Sequence, residues 1–206
     1  MRIIGGENRK LKLAAPRGRE VRPILDRVRE SLFGILRNDV PGAAVADLFA
    51  GTGVLGLEAL SRGAASCVFV DRDPRCVGTI RENVRRAGRG DQARVVRADA
   101  LRSARPGGPL EADAPFDLIF VDPPYRLMRS PRNHGRVTRL VEQLGAADRL
   151  SERGLLVLRY PRDVGVPGRI GPLAKVDRRR YGGMKIALFG RTGEKDGERR
   201  TDADAH

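Results

Sequence analysis

Short apolar runs alternate with amphipathic stretches along most of this chain, and their spacing predicts an alternation of strands and helices. Leu25, Val28, Leu32, Ile35 and Leu36 recur at helical spacing, so a helix is expected from about Asp26 to Leu36, with Asp26 as N-cap. From there the pattern predicts a strand at Val45–Phe49, a helix at Leu55–Arg62 closed by Gly63, and a strand at Ser66–Val70. Asp73 followed by Pro74 opens a helix in which Val77, Ile80 and Val84 share one face. Further strands are expected at Ala93–Val96, Phe116–Val121 and Leu155–Leu158, with a helix around Val137–Leu144. Two last strands, near Lys175–Tyr181 and Met184–Phe189, can pair as a hairpin through Gly182-Gly183. Repeated β-α units of this length imply an α/β fold: a doubly wound, Rossmann-like parallel sheet with helices on both faces.

The ends differ in character from this middle. Residues 1–25 read as a small basic N-terminal arm, in which Ile3-Ile4 and Leu11-Lys12-Leu13 can form a hairpin. Residues 26–190 form the main domain, and the polar stretch 191–206 is expected to be a disordered tail. No apolar run is long enough to span a bilayer, and the first residues lack a secretory h-region, so a cytoplasmic location away from membranes is expected. Cys67 and Cys76 have no metal-ligand spacing and read as buried residues, one in a strand and one in a helix's first turn; no metal is expected.

The formal net charge of +14 over 206 residues changes the picture by pointing to a polyanionic partner. The preference for Arg over Lys reflects composition bias, but that bias does not explain the excess of base over acid. Nucleic acid is the expected partner.

Candidate chemistry concentrates where strands end. Asp47-Leu-Phe-Ala-Gly51-Thr-Gly53-Val-Leu-Gly56 contains G-x-G-x-x-G, and Asp71 lies at the end of the next strand. Alone this matches a dinucleotide fingerprint. Asp47, however, would repel a pyrophosphate and suits a methionine ammonium, while Asp71 suits ribose hydroxyls. Asp99 can cap the following turn or contact an adenine. With Asp122, four strand ends carry carboxylates, a pocket suited to S-adenosylmethionine and poorly suited to NADP. The cofactor set is therefore Asp47, Phe49, Gly51, Gly53, Asp71, Arg72, Asp99 and Ala100.

Asp122-Pro123-Pro124-Tyr125 follows the apolar run Phe116–Val121. Two prolines cannot continue a ladder and each fixes its own φ, so the turn is stiff. It presents a carboxylate, carbonyl acceptors and an aromatic ring, a set suited to a planar exocyclic amine on a nucleobase. These four residues are the candidate catalytic group.

Taken with Arg2-Ile-Ile-Gly-Gly6, Arg22-Pro23, Asp26-Arg-Val-Arg-Glu-Ser-Leu-Phe33 and Leu57-Glu-Ala-Leu-Ser-Arg-Gly-Ala64, these motifs resemble the RsmD-type 16S ribosomal RNA guanine-N2 methyltransferases, a class I S-adenosylmethionine-dependent family. The likeness covers roughly residues 1–125. It implies a seven-stranded sheet with the last strand antiparallel, and methyl transfer to N2 of one guanine in 16S ribosomal RNA. The implied partner is the small ribosomal subunit or an assembly intermediate, met by a monomer. It further implies that Asp122 and the Pro123 carbonyl accept from the amine while Tyr125 stacks on the flipped base. Arg2, Arg22, Asp26, Arg27 and Arg29 are the implied RNA-contacting set. The chain departs from the family pattern at Ile24-Leu25 and at Tyr181-Gly182-Gly183-Met184. Two other readings stay open from the residues: an adenine-N6 methyltransferase on DNA or RNA, and a cofactor-binding assembly factor without turnover. Arg126, Arg129, Arg132, Arg136 and Arg139 are either a phosphate-tracking rim or a solvated helix face, and His134 is expected at a helix start.

Overall fold

The computed structural model describes residues 1–16 and 24–191. Arg22 and the stretch 192–206, expected respectively as an RNA contact and as a tail, lie outside them. The chain divides into two compact units, Met1–Ala100 and Leu101–His206.

In the first unit, α1 (Asp26–Ile35) precedes β1 (Ala44–Leu48), α2 (Val54–Ser61), β2 (Ser66–Asp71), α3 (Pro74–Arg86) and β3 (Ala93–Arg97). The strands lie in the order β3-β2-β1, all parallel, with Asp47 beside Phe69 and Asp71 beside Arg97. Parallel neighbours need crossovers, and the two helices that bridge them supply these. α2 is buried along its whole length, as its apolar sequence requires, and Gly63 (φ 96°) turns the chain out of it. Asp73 caps α3 as expected, accepting from the Arg75 N–H at 2.9 Å. Val77, Ile80 and Val84 are buried together on that helix.

α1 differs from its expected form. Its N-cap is Leu25, which caps with no side chain, and Asp26 is already helical. The Asp26 carboxylate is drawn instead to two arginines, Arg29 at 2.7 Å and Arg2 at 3.2 Å. Leu25, expected on the buried face, is 62% exposed, because that face runs through Val28, Arg29, Leu32 and Phe33.

The second unit holds β4 (Phe116–Val121), α4 (Tyr125–Arg129), α5 (Pro131–Ala146), β5 (Leu150–Pro161), β6 (Arg169–Ile170), β7 (Leu173–Tyr181) and β8 (Met184–Arg191). β4 pairs β5 in parallel, whereas β5-β8-β7-β6 is antiparallel throughout. The described residues thus contain eight strands where seven were expected. The added one, β6, is a two-residue strand folded back on β7 through Gly171 (φ 54°), too short to show any alternation. The last strand is antiparallel to its neighbours, and Gly182 (φ 52°) makes the expected hairpin turn before it. No helix among the described residues is long and apolar enough to cross a membrane.

Candidate active site

In the first unit the glycine loop follows β1. Gly51 (φ 59°) and Gly53 (φ 75°) take left-handed backbone, and so does Phe49 (φ 60°), a conformation that is costly for a bulky side chain. Gly56 has a different task. A Cβ there would lie 2.4 Å from the Phe69 ring and 2.5 Å from the Cys67 sulfur, so its absence lets α2 pack against β2.

Two carboxylates shape this loop. Asp47 is buried, and its Oδ2 accepts from the Gly56 N–H at 3.0 Å. Asp71 accepts from the Gly51 N–H and the Asp73 N–H, each at 2.9 Å. Both were expected as cofactor contacts; in the structure Asp47 ties the end of β1 to the first turn of α2, and Asp71 ties the end of β2 to the loops after β1 and β2. Burial, reinforced by the Asp47 charge, raises the Cys67 thiol pKa well above its usual value. Asp99 and Ala100 follow β3, and Arg72 is exposed beside Asp71.

The N-terminal segment docks on this loop's helix. Arg2 bridges Lys12 in an antiparallel pair, forming the expected hairpin. The Ile4 and Gly5 N–H groups donate to the fully buried Glu58 carboxylate at 2.9 and 2.8 Å, and Arg62 pairs with the same group at 2.8 Å. A Cβ on Gly6 (φ 73°) would sit 1.8 Å from the Ser61 carbonyl oxygen. The Gly5-Gly6 pair is therefore the condition for close docking on α2. Asn83 of α3 completes the attachment, exchanging hydrogen bonds with the Ala14 backbone and donating to the Thr52 carbonyl in the glycine loop.

The expected RNA set separates accordingly. Arg2 and Arg27 reach the surface. Arg29 does not: it is fully buried, donating to Asp26 and to the Arg2 carbonyl, both at 2.7 Å. The helical periodicity that buries Val28 and Leu32 carries Arg29 inward with them, which removes it from contact with a phosphate backbone.

In the second unit the tetrapeptide leaves β4. Pro123 is buried, and Pro124 is the N-cap of α4, its carbonyl accepting from the Leu127 N–H at 2.8 Å. Of the two proline carbonyls, Pro124's is thus engaged in the helix start, leaving Pro123's as the acceptor beside Asp122. Tyr125 begins α4, half-buried.

Arg159, near the end of β5, was not anticipated from sequence. Its Nε donates to the Asp122 Oδ1, and its guanidinium lies 5.7 Å from the Tyr125 ring centre. Burial works against its charged form, yet the Asp122 carboxylate beside it holds its pKa above the ordinary guanidinium value. Arg129 also lies 5.7 Å from the Tyr125 ring and is anchored by Asp163 at 3.0 Å. That hydrogen bond raises the Arg129 pKa and lowers that of Asp163. The only sequence cue to Arg159 is a cation directly after the apolar run Leu155–Leu158. His134 lies in the first turn of α5, as expected.

Among the described residues no cluster of His, Cys, Asp or Glu could hold a metal. The donor set of the first unit suits an organic cation: carboxylates end three adjacent parallel strands, beside a loop whose glycines leave the backbone accessible.

Parallel strands ending in acids, with a left-handed glycine loop after the first, form the frame of a class I S-adenosylmethionine-dependent methyltransferase. Solved structures share it. The Escherichia coli structure "Putative methyltransferase yhhF" superposes with a TM-score of 0.77 at 32% identity, covering 93% of this chain and 97% of that one. An RNA methyltransferase from Salinibacter ruber in complex with S-adenosyl-L-homocysteine shares the fold, with a TM-score of 0.59 at 17% identity over 87% of this chain and 99% of the other. The Bacillus subtilis protein "Putative rRNA methyltransferase YlbH" is 34% identical over 193 residues, 94% of this chain and all of its own. "Ribosomal RNA small subunit methyltransferase D" of Escherichia coli is 40% identical over 126 residues, 61% of each chain. The family model described as "Conserved hypothetical protein 95" matches residues 1–190, and this protein belongs to that family, the RsmD-type methyltransferases.

Proposed function

We propose that this protein transfers a methyl group from S-adenosylmethionine to the exocyclic N2 of a guanine in 16S ribosomal RNA, within the small subunit or an assembly intermediate. The observation that carries this reading is the turn Asp122–Tyr125, whose carboxylate is held by Arg159 beside the Pro123 carbonyl. The name of the Bacillus subtilis relative supports ribosomal RNA as substrate, and that of the Escherichia coli relative supports the small subunit.

In the first unit, Asp71 would hold the ribose hydroxyls, Asp47 and the glycine loop the methionine end, and Asp99 with Ala100 the adenine. Phe49 and Arg72 would flank that site. The bound cofactor supplies an electrophilic methyl on a good leaving group, so no strong base is required of the protein.

The protein's work is to orient the amine. A base amine delocalises its lone pair into the ring. Acceptance of its protons by Asp122 Oδ and the Pro123 carbonyl would turn that pair toward the methyl, and positioning supplies much of the rate. Tyr125 would stack on the base, worth about 1–3 kcal/mol. Arg159, by its hydrogen bond, would hold the Asp122 carboxylate in position to accept. When the nitrogen becomes cationic on methylation, its proton leaves to Asp122 or water.

The test is incubation with labelled S-adenosylmethionine and small subunits from a strain lacking the modification, followed by nucleoside analysis. N2-methylguanosine is the expected product. Label in N6-methyladenosine would replace guanine by adenine as the target, and no label on any RNA or DNA would leave a binding protein without turnover.

A further inference from the structure

The β7–β8 hairpin carries more positive charge than its fold requires, and the charge is sorted by face. Cross-strand partners share a sheet face, and residues alternate between faces along a strand. On β8, Lys185, Ala187 and Phe189 point one way and pair with Arg180, Arg178 and Lys175. Asp177, Arg179 and Tyr181 pair with Leu188, Ile186 and Met184 on the other face. The register slips between Lys175 and Asp177, so Val176 is a bulge residue. Without the slip, strict alternation would put Lys175 with Asp177 and Arg179. The bulge instead brings Lys175 onto the face of Arg178 and Arg180, while the strand's one acid stays on the far face, paired with Arg179 at 3.1 Å.

What remains is a face bearing Arg178, Arg180 and Lys185 beside Lys175; the one carboxylate that acts on it is Asp163, which feels Lys185 through space while its hydrogen-bonded partner is Arg129. Arg178 and Arg180 are exposed. Arg180 stands directly opposite Lys185, a like-charge pair that costs the sheet stability. Lys185 lies over the Tyr160 ring at 5.9 Å. Lys175 is partly buried and donates to the Val166 carbonyl at 2.8 Å. Burial, then the charges of Arg178 and Lys185, lower its pKa. Lys175 is thus repelled by Arg178 and Lys185, and Asp163 offsets part of the charge of Lys185.

Protection of an exposed strand edge is the ordinary reason for such charges, and β6 covers β7 only at Leu173 and Ala174. Edge protection is served by charge of either sign on either face, and it does not concern Lys185, which lies on β8 between two strands. A local rule broken without gain in the free protein points to a partner.

We propose that the face of the β7–β8 hairpin bearing Arg178, Arg180 and Lys185 is a phosphate-binding surface that tracks the backbone of the RNA substrate. The proposal rests on the reading that this substrate is RNA. Phosphates would relieve the Arg180–Lys185 repulsion and release counterions, so the contribution appears as salt-dependent affinity without sequence preference.

The test measures binding of purified 16S ribosomal RNA and of small subunits across a salt series. Arg180→Ala and Lys185→Ala should each lower the slope of log affinity against log salt by about one, and the triple variant with Arg178→Ala by about three. Arg179→Ala removes the same charge from the opposite face and should leave the slope unchanged. Melting temperatures of the two single variants at or above the parent's would show the repulsion relieved. An unchanged slope in the triple variant overturns the proposal, as does an Arg179→Ala effect equal to that of Arg180→Ala. Methyl transfer by the parent with unchanged slopes would sink this surface alone. Face-dependent slopes without any methyl transfer would sink the proposed function alone.

Discussion

Arg159 of β5 donates its Nε hydrogen to the Asp122 carboxylate at the end of β4, 37 residues earlier in the chain. The same guanidinium lies near the Tyr125 ring, so one side chain holds both ends of the proposed amine-binding turn. Asp122→Ala should abolish methyl transfer while leaving most RNA affinity, because the proposed phosphate contacts lie elsewhere. Arg159→Ala should lower kcat roughly 10- to 100-fold, about 1.4–2.7 kcal/mol of barrier, with little change in the KM for RNA. Arg159→Lys should recover part of the loss. Steady-state kinetics decide it, and an equal loss with both Arg159 variants in KM alone would assign Arg159 to substrate binding instead.

Glu58 anchors the N-terminal segment by accepting two backbone N–H groups and pairing with Arg62. Removing one partner of a buried pair leaves the others unsatisfied, at a cost of about 3 kcal/mol or more. Glu58→Ala should therefore show reduced stability to denaturant and faster proteolytic cleavage within residues 1–16. Resistance equal to the parent's would mean that other contacts hold the segment.

Arg27 and Arg29 are two positions apart and should respond differently. Arg27 is exposed, and its change to Ala should lower the salt slope of RNA binding by about one while leaving the melting temperature nearly unchanged. Arg29 is buried, and among the described residues its Nε and Nη1 have no hydrogen-bond partner. Arg29→Ala should lower stability and leave the slope alone. Arg29→Met should cost less, since it keeps the volume without an imperfectly paired charge. Thermal melts and filter binding on the same variants separate the two roles.

The Cys67 thiol, its pKa raised by burial and by Asp47, stays protonated in the folded state at pH values where it ionises in the unfolded chain. Its contribution to stability is complete below the unfolded pKa of about 8.5 and declines as pH rises beyond it. The melting temperature of the parent should fall more steeply above that pH than that of Cys67→Ala, each measured against its own value at pH 7. Native protein should also resist alkylation at Cys67, as read by peptide mass mapping; ready modification without unfolding would contradict this burial.

Much of the architecture was legible because its causes are local. Strand-length apolar runs, Asp73-Pro74 at a helix start and glycines after helices or between strands act through nearest neighbours, so the chain displays them directly. Asp47, Gly51, Gly53, Asp71 and Asp122–Tyr125 stood out for the same reason: chemistry confined to strand ends leaves a regular spacing. The role of Gly5-Gly6 was not visible, since the Ser61 carbonyl that excludes a side chain belongs to another helix. Arg29 was expected as an RNA contact on the helix after the basic arm, and only packing turned it inward. Arg159 lies just past the expected strand Leu155–Leu158 and had no expected role until the longer β5 brought it to Asp122. Lys175 joins Arg178 and Arg180 on one face only through a one-residue register slip, and Lys185 joins them only through pairing with Arg180; register exists only between strands. Local propensity and spacing thus determined which elements form and which residue types carry chemistry. Tertiary pairing decided which charges meet, because Coulomb and hydrogen-bond partners are chosen by distance in space rather than along the chain.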